Sequence, residues 1–214
     1  NGDQSFSGLE IGEEAVDVSW ETAYKWNLGL DINTLSNALS LHADVFYDMR
    51  EGIFLARGDL PWYVGMTNMP LGNLGKVKNK GFEVSAEYKK QFNDEWFLSL
   101  MANCSFNRNE VVDNDVKYAY PWLDVRGQRV GQRYGYIAEK LFESDEEVAA
   151  SAYQSGDTRA GDIKYKDLNG DGKIDQYDKA PIGWGSVPEI MYGFGFSLAY
   201  KGWSLSAMFQ GAGH

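Results

Sequence analysis

The strongest chemical signature in the chain is the stretch DLNGDGKIDQYD, residues 167–178. A calcium loop of the EF-hand type takes oxygen donors from positions 1, 3, 5, 7, 9 and 12 and needs glycine at position 6 for its sharp turn. Those positions are Asp167, Asn169, Asp171, Lys173, Asp175 and Asp178, with Gly172 at the turn. Lys173 contributes through its main-chain carbonyl, which is what position 7 normally supplies, and Ile174 is the usual apolar anchor at position 8. Asp178 replaces the customary glutamate, and its shorter side chain predicts weak affinity. The same residues also suit a metal-free turn whose side chains bond their own backbone. The expectation is a structural calcium site, with no catalytic part. The flanking sequence does not form the paired helices of an EF-hand, so the motif alone names no function.

Catalytic readings find little support. His42 and His214 are the two histidines, and neither lies near a nucleophile or second metal ligand in sequence. No GxSxG, HExxH, Walker or GxGxxG arrangement occurs. Asp44 and Asp48 are carboxylates four residues apart on an expected strand, farther apart than the roughly 5–9.5 Å that glycoside hydrolysis requires. The chain therefore reads as a non-enzyme with no organic cofactor.

The composition narrows the partners. With 31 Asp and Glu against 20 Lys and Arg, the net charge of −11 disfavours nucleic acid and anionic membrane surfaces. Cys104 is the lone cysteine, so an internal disulfide framework is excluded. No signal peptide opens the sequence, and no 18-residue apolar run predicts a membrane helix. Membrane strands need only about 9–11 alternating residues and escape that test. Aromatic residues make up 14%, with 7 Trp and 13 Tyr, more than a core alone requires.

Three segments alternate with period 2. Trp20, Thr22, Tyr24, Trp26, Leu28 and Leu30 oppose Glu21, Ala23, Lys25, Asn27, Gly29 and Asp31, and the pattern resumes at Leu39, Leu41, Ala43, Val45 and Tyr47. Phe82, Val84, Ala86 and Tyr88 precede a turn at KQFNDE and the row Trp96, Leu98, Leu100, Ala102, Cys104, Phe106. Tyr192, Phe194, Phe196, Leu198 and Tyr200 precede a tight turn at Lys201 and Gly202, then Trp203, Leu205, Ala207 and Phe209. These predict hairpins over about 19–48, 81–107 and 190–211, with connections over about 49–80 and 108–189. Short turns at one end, long connections at the other and aromatics at strand ends match an outer-membrane barrel. A soluble extracellular β-sandwich, such as a carbohydrate-binding module with a structural calcium ion, would show the same alternation. In a sandwich, however, the Trp20, Leu98 and Phe196 rows would be buried against one another. In the second connection, Ser144 and Glu147 form a capping-box signal for a short helix running to about Gln154. Before it, GQRVGQRYGYIAEKLF reads as an extended, glycine-broken segment.

Taken in order, these stretches resemble the SusC/RagA-type TonB-dependent outer-membrane transporters of Bacteroidetes. SWETAYKWNLGLDINTLSNALSLHADVFYDMREGIFL resembles the family's W-E-x-x-x-K-x-N-x-G-x-D strand and the strand after it, and NLGKVKNKGFEVSAEYKKQ its N-x-G-F-E strand. YKDLNGDGKIDQYDKAPIGWGSVPEIMYGFGFSLAYKGWSLSAMFQGAG resembles its D-x-N-G-D-G-x-I-D, P-I-G and Y-G-F run. The resemblance implies an all-β antiparallel meander of long hairpins, part of a barrel of about 22 strands, with a short helix in a long external loop. It implies outer-membrane lipid around the wall, TonB as energy source, a SusD-like lipoprotein as partner and a glycan oligomer as cargo. The family's plug is missing from the matched stretches, and about six strands cannot close a barrel. Exposed strand edges then predict self-association. Trp62, Tyr63, Tyr120, Trp122 and Trp184, all in the connections, are candidates to stack on sugar faces.

Overall fold

A computed structural model describes residues 18–58, 69–154 and 156–214. Four long strands, β1 (Thr22–Thr34), β2 (Leu39–Ala56), β3 (Leu71–Gln91) and β4 (Trp96–Asp113), are followed by short strands of a loop excursion. These are β5 (Tyr134–Tyr136), β6 (Ala138–Leu141), β7 (Ile163–Tyr165) and β8 (Lys179–Pro181). The helix α1 (Asp145–Ala150) lies between β6 and β7, and β9 (Ile190–Tyr200) and β10 (Trp203–Gly213) complete the chain. The long strands form one six-stranded sheet in the order β1-β2-β3-β4-β9-β10, antiparallel throughout. β1 and β10 are its edges, so the sheet is an arc of barrel wall that does not close on itself.

The registers carry the period-2 pattern across the whole arc. Leu28 faces Val45, Val45 faces Phe82 and Phe82 faces Phe106. Farther along, Ala86, Ala102, Phe194 and Phe209 share a rung. All of these lie on one face. That face is exposed: Trp26 is 74% accessible, Leu28 77% and Leu205 62%. The opposite face carries Asp31, His42, Ser85, Asn103, Gly193 and Gln210 along one rung. The apolar rows are not buried against a second sheet, which removes the sandwich alternative. An apolar outer surface and a polar inner one are what a wall between lipid and a watery lumen requires.

The three short turns lie at one end. Lys201 and Gly202 both have positive φ, at 44° and 84°, as the two-residue turn between right-twisted strands demands. At the other end the strands run farther than the alternation suggested. β2 continues to Ala56 and β3 begins at Leu71, past the expected hairpin limits at 48 and 81. In these extensions the strict alternation breaks: Ile53, Phe54, Leu55 and Ala56 run as consecutive apolar residues on β2, and Lys76, Lys78 and Lys80 alternate with Val77 and Asn79 on β3. A bulge interrupts the pairing between Glu51 and Ile53, where Gly52 adopts φ 71°. Asn73 covers it, donating from Nδ2 to the carbonyls of Gly52 (2.6 Å) and Ser19 (2.8 Å).

The excursion is ordered by its own short pairings. β5 pairs with β8 and β6 with β7, so the glycine-broken segment forms two strands that find distant partners instead of each other. Helix α1 is capped by Ser144, whose hydroxyl accepts from the Glu147 N–H at 3.2 Å, as its sequence implied. It stops at Ala150, short of Gln154. The Ser151 hydroxyl donates back to the Glu147 carbonyl (2.8 Å), and Tyr153 is drawn into main-chain bonds with Gly172 and Ile174.

Candidate functional site

The excursion between β4 and β9 gathers most of the expected site residues. In the Asp167–Asp178 loop the side chains are spent on the backbone. Asp167 accepts from the N–H groups of Gly170 (2.7 Å) and Gly172 (2.9 Å), and Asp171 from that of Lys173 (2.9 Å). Asn169 accepts from the Asp171 N–H and returns an N–H to the Asp171 carboxylate at 3.1 Å. Asp175 caps the single 3-10 turn Gln176–Asp178, accepting from Tyr177 N–H at 2.8 Å. Asp178 is fully buried, and its two oxygens accept from Leu168 and Asp175, both at 2.8 Å. Position 12 thus works as the loop's internal latch. Among the described residues, no group of three or more His, Cys, Asp or Glu side chains converges as a metal site would. The carboxylate oxygens keep second lone pairs, and the Lys173 carbonyl is the seventh-position donor; these are the groups that would hold a calcium ion.

Two of the aromatic candidates come together. Tyr120 and Trp122 flank Pro121 at the start of a 3-10 turn and stack at 4.7 Å with rings 8° from parallel. Tyr177 meets Tyr120 edge-on at 5.9 Å, and the Trp122 indole N–H donates to the Tyr177 carbonyl at 2.7 Å. The Asp-rich loop therefore buttresses the aromatic pair. Trp184 forms a separate stack: its ring lies parallel to His214 at 5.6 Å, with the Arg129 guanidinium 4.8 Å from its centre. Trp62 and Tyr63 lie outside the described residues.

The residues that fix this excursion to the wall gave no signal in the sequence. Glu189 enters β9 with its side chain 6% exposed and binds two guanidinium groups at once. Arg108 of β4 donates from Nε at 2.9 Å and Nη2 at 3.0 Å. Arg129 of the excursion donates from Nε to one oxygen and from Nη2 to the other at 3.1 Å. Arg129 first and Arg108 second hold the Glu189 carboxyl down at about 2. The Glu189 main chain is equally committed, accepting from Asn107 N–H (2.8 Å) and donating to the Gly213 carbonyl (3.0 Å). A second clasp orders the helix. Glu147 accepts from the Glu143 N–H and faces Lys140 and Lys164, both at 3.2 Å, and its pKa falls to about 2, chiefly through that backbone bond.

Comparison with known proteins agrees with the architecture. The chain is 29% identical over 223 residues to TonB-dependent receptor P3 of Formosa agariphila, covering 98% of this chain and 22% of that protein. It is 23% identical to TonB-dependent receptor SusC of Bacteroides thetaiotaomicron, covering 89% of this chain and 19% of SusC. The chain thus spans about a fifth of the length of these relatives. Among solved structures, the RagAB peptide transporter superposes with a TM-score of 0.64 at 22% identity, over 91% of this chain and 21% of that one. The family model described as TonB dependent receptor-like, beta-barrel, matches residues 2–213. The chain belongs to this TonB-dependent receptor β-barrel family, whose members are proteins of the outer membrane.

Proposed function

We propose that the chain forms part of the wall and one external excursion of a receptor that imports an oligosaccharide across the outer membrane. Energy would come from TonB, and a SusD-like surface lipoprotein would share capture and close over the external loops. The observation that carries the cargo class is the Tyr120–Trp122 stack, in which each ring covers one face of the other and keeps its outer face for a ligand, with Trp122 held on the excursion by the Tyr177 carbonyl. Sugar rings present C–H faces that pack on such surfaces while their hydroxyls seek polar neighbours. The polar inner face of the sheet supports passage of a hydrated solute, and the role is transport rather than catalysis. Calcium in the Asp167–Asp178 loop is proposed as a structural ion that stiffens the buttress beneath Trp122. Where this arc is separated from the rest of a barrel, the free edges of β1 and β10 are proposed to pair with other chains.

The test is growth of a strain lacking the parent receptor on a panel of polysaccharides, their monosaccharides and peptides. Loss of growth on one polysaccharide, with growth on its monosaccharide kept, is the expected result. Loss confined to peptides would overturn the glycan reading.

A further inference from the structure

The inner face of the wall carries, near the rim, a cavity of about 300 Å³. Its polar lining comes from two adjacent rungs: Lys25, Asp48 and Asn79 are successive partners on one, and Arg50 and Val77 pair on the next. Val130 of the excursion forms the last side. It is fixed there because its N–H donates to Asn109 Oδ1 at 2.8 Å and its neighbour Arg129 is clasped by Glu189. The pocket therefore has strand-borne walls and a pinned roof.

Its polar groups are largely unspent. Among the described residues, Lys25 and Asp48 form no ion pair although they are cross-strand partners, and Arg50 reaches only Glu21, at 3.6 Å. The Asn79 carbonyl oxygen has no hydrogen-bond partner but is covered, so it lies beneath the pocket floor and is not presented to a ligand. A ligand that fills this space must offer donors to Asp48 and acceptors to Lys25 and Arg50, with apolar surface toward Val77 and Val130. A purely apolar ligand would strip water from Asp48, Lys25 and Arg50 without replacing its hydrogen bonds, which disfavours it. A hydroxyl is both donor and acceptor, so adjacent hydroxyls on one ring can serve a carboxylate and a guanidinium together. The volume sits at the small end of ligand pockets, on the scale of a single ring.

We infer that this rim pocket is a subsite for one sugar ring of the imported oligosaccharide, with Asp48 accepting from its hydroxyls and Arg50 and Lys25 donating to them. This rests on the glycan-import reading. The test uses the full-length receptor in detergent, assayed against malto-, xylo-, cello- and manno-oligosaccharides and a set of tetrapeptides. Asp48→Ala and Arg50→Ala should each weaken binding of the preferred oligosaccharide at least tenfold, and Asp48→Asn should weaken it less. Val130→Trp, which fills the cavity without touching a polar group, should also weaken it at least tenfold, while Lys201→Ala at the opposite end of the wall should leave it unchanged. Retained heat-modifiable gel mobility shows that each variant keeps its barrel. Oligosaccharide binding unaltered by Asp48→Ala, Arg50→Ala and Val130→Trp would overturn the subsite and leave glycan import standing. Binding of peptides alone, or of no oligosaccharide, would overturn both.

Discussion

The Trp122 indole N–H donates to the main-chain carbonyl of Tyr177, 55 residues away, at 2.7 Å. That bond joins the aromatic surface to the Asp-rich loop, so what orders the loop also orders Trp122. The latch is Asp178, because its buried carboxylate holds the Leu168 and Asp175 N–H groups together. Asp178→Ala leaves both donors without their partner and should destabilise the loop by about 1–3 kcal/mol. Protease nicking between 167 and 178 should rise and Trp122 emission should shift red, while barrel gel mobility stays unchanged. Resistance equal to wild type would mean that the latch is dispensable.

The Glu189 clasp should be indifferent to mild acid. Its folded carboxyl titrates at about 2, below the ordinary glutamate value of 4.5. A carboxyl depressed in this way contributes stability that is fully present above the ordinary value and is lost as pH falls through about 2. Hydrogen exchange at residues 127–130 and 185–189, corrected for intrinsic rates, should therefore match at pH 7 and pH 5. Glu189→Gln removes the charge at every pH and should raise exchange in both segments at pH 7. If the variant exchanges like wild type, the excursion is held by other contacts.

The faces of the wall were legible in the sequence because each strand states its own alternation, as in Phe82, Val84, Ala86 and Tyr88. The strand ends were less so. Residues such as Asn73 and Lys76 carry no apolar rhythm, and their pairing depends on β2 beside them. The Arg108–Glu189–Arg129 clasp joins positions 81 and 60 residues apart, and nothing local marks any of the three. In the loop, spacing marked Asp167 to Asp178 as one closed unit, and the structure shows its side chains bonding the loop's own backbone. That Asp178 would serve backbone N–H groups depends on how the chain closes around it. Trp184 shows the same limit: its residue type suggested stacking, and the rings and cations it meets come from Arg129 and His214.

Val84 and Ser85 are neighbours in sequence and face opposite sides of the wall. Val84→Arg puts a charge toward lipid and should cost up to about 2–4 kcal/mol if the site lies at mid-bilayer, whereas Ser85→Arg faces water and should cost far less. Chemical denaturation of the full receptor in liposomes measures both. Equal costs would contradict the assignment of the faces.

Gly81 explains one glycine of the NKGFE stretch. Its cross-strand partner is Phe46, whose ring tip lies 2.6 Å from where a Cβ would stand, and the Phe106 carbonyl is closer still. Gly81→Ala must displace the ring and strain the β3–β4 ladder, for a loss of about 1–3 kcal/mol. Phe46→Ala with Gly81→Ala removes one clash and leaves the backbone one. Partial recovery in the double variant, read by thermal unfolding, is the expected outcome; full recovery would place the whole conflict on the ring.

Calcium titration addresses the loop motif itself. Asp167, Asn169 and Asp171 occupy the first three donor positions and already turn the chain tightly through bonds to Gly170, Gly172 and Lys173. A cation would replace none of those bonds, because each carboxylate oxygen has a second lone pair. It would, however, have to draw in the Asn169 oxygen, which now accepts from Asp171 N–H, and do so without a glutamate at position 12. Binding should therefore be weak, nearer the 10⁻⁴–10⁻³ M of extracellular calcium modules than the affinity of intracellular sensors. Calorimetry on the full receptor should show saturable heat that Asp171→Ala abolishes, and calcium should reduce protease nicking of the loop. Heat unchanged in the variant would assign the ion elsewhere. No heat at millimolar calcium would leave the loop as a turn closed by its own carboxylates, with Asp178 at position 12 gathering backbone N–H groups where an EF-hand-type loop gathers around its ion.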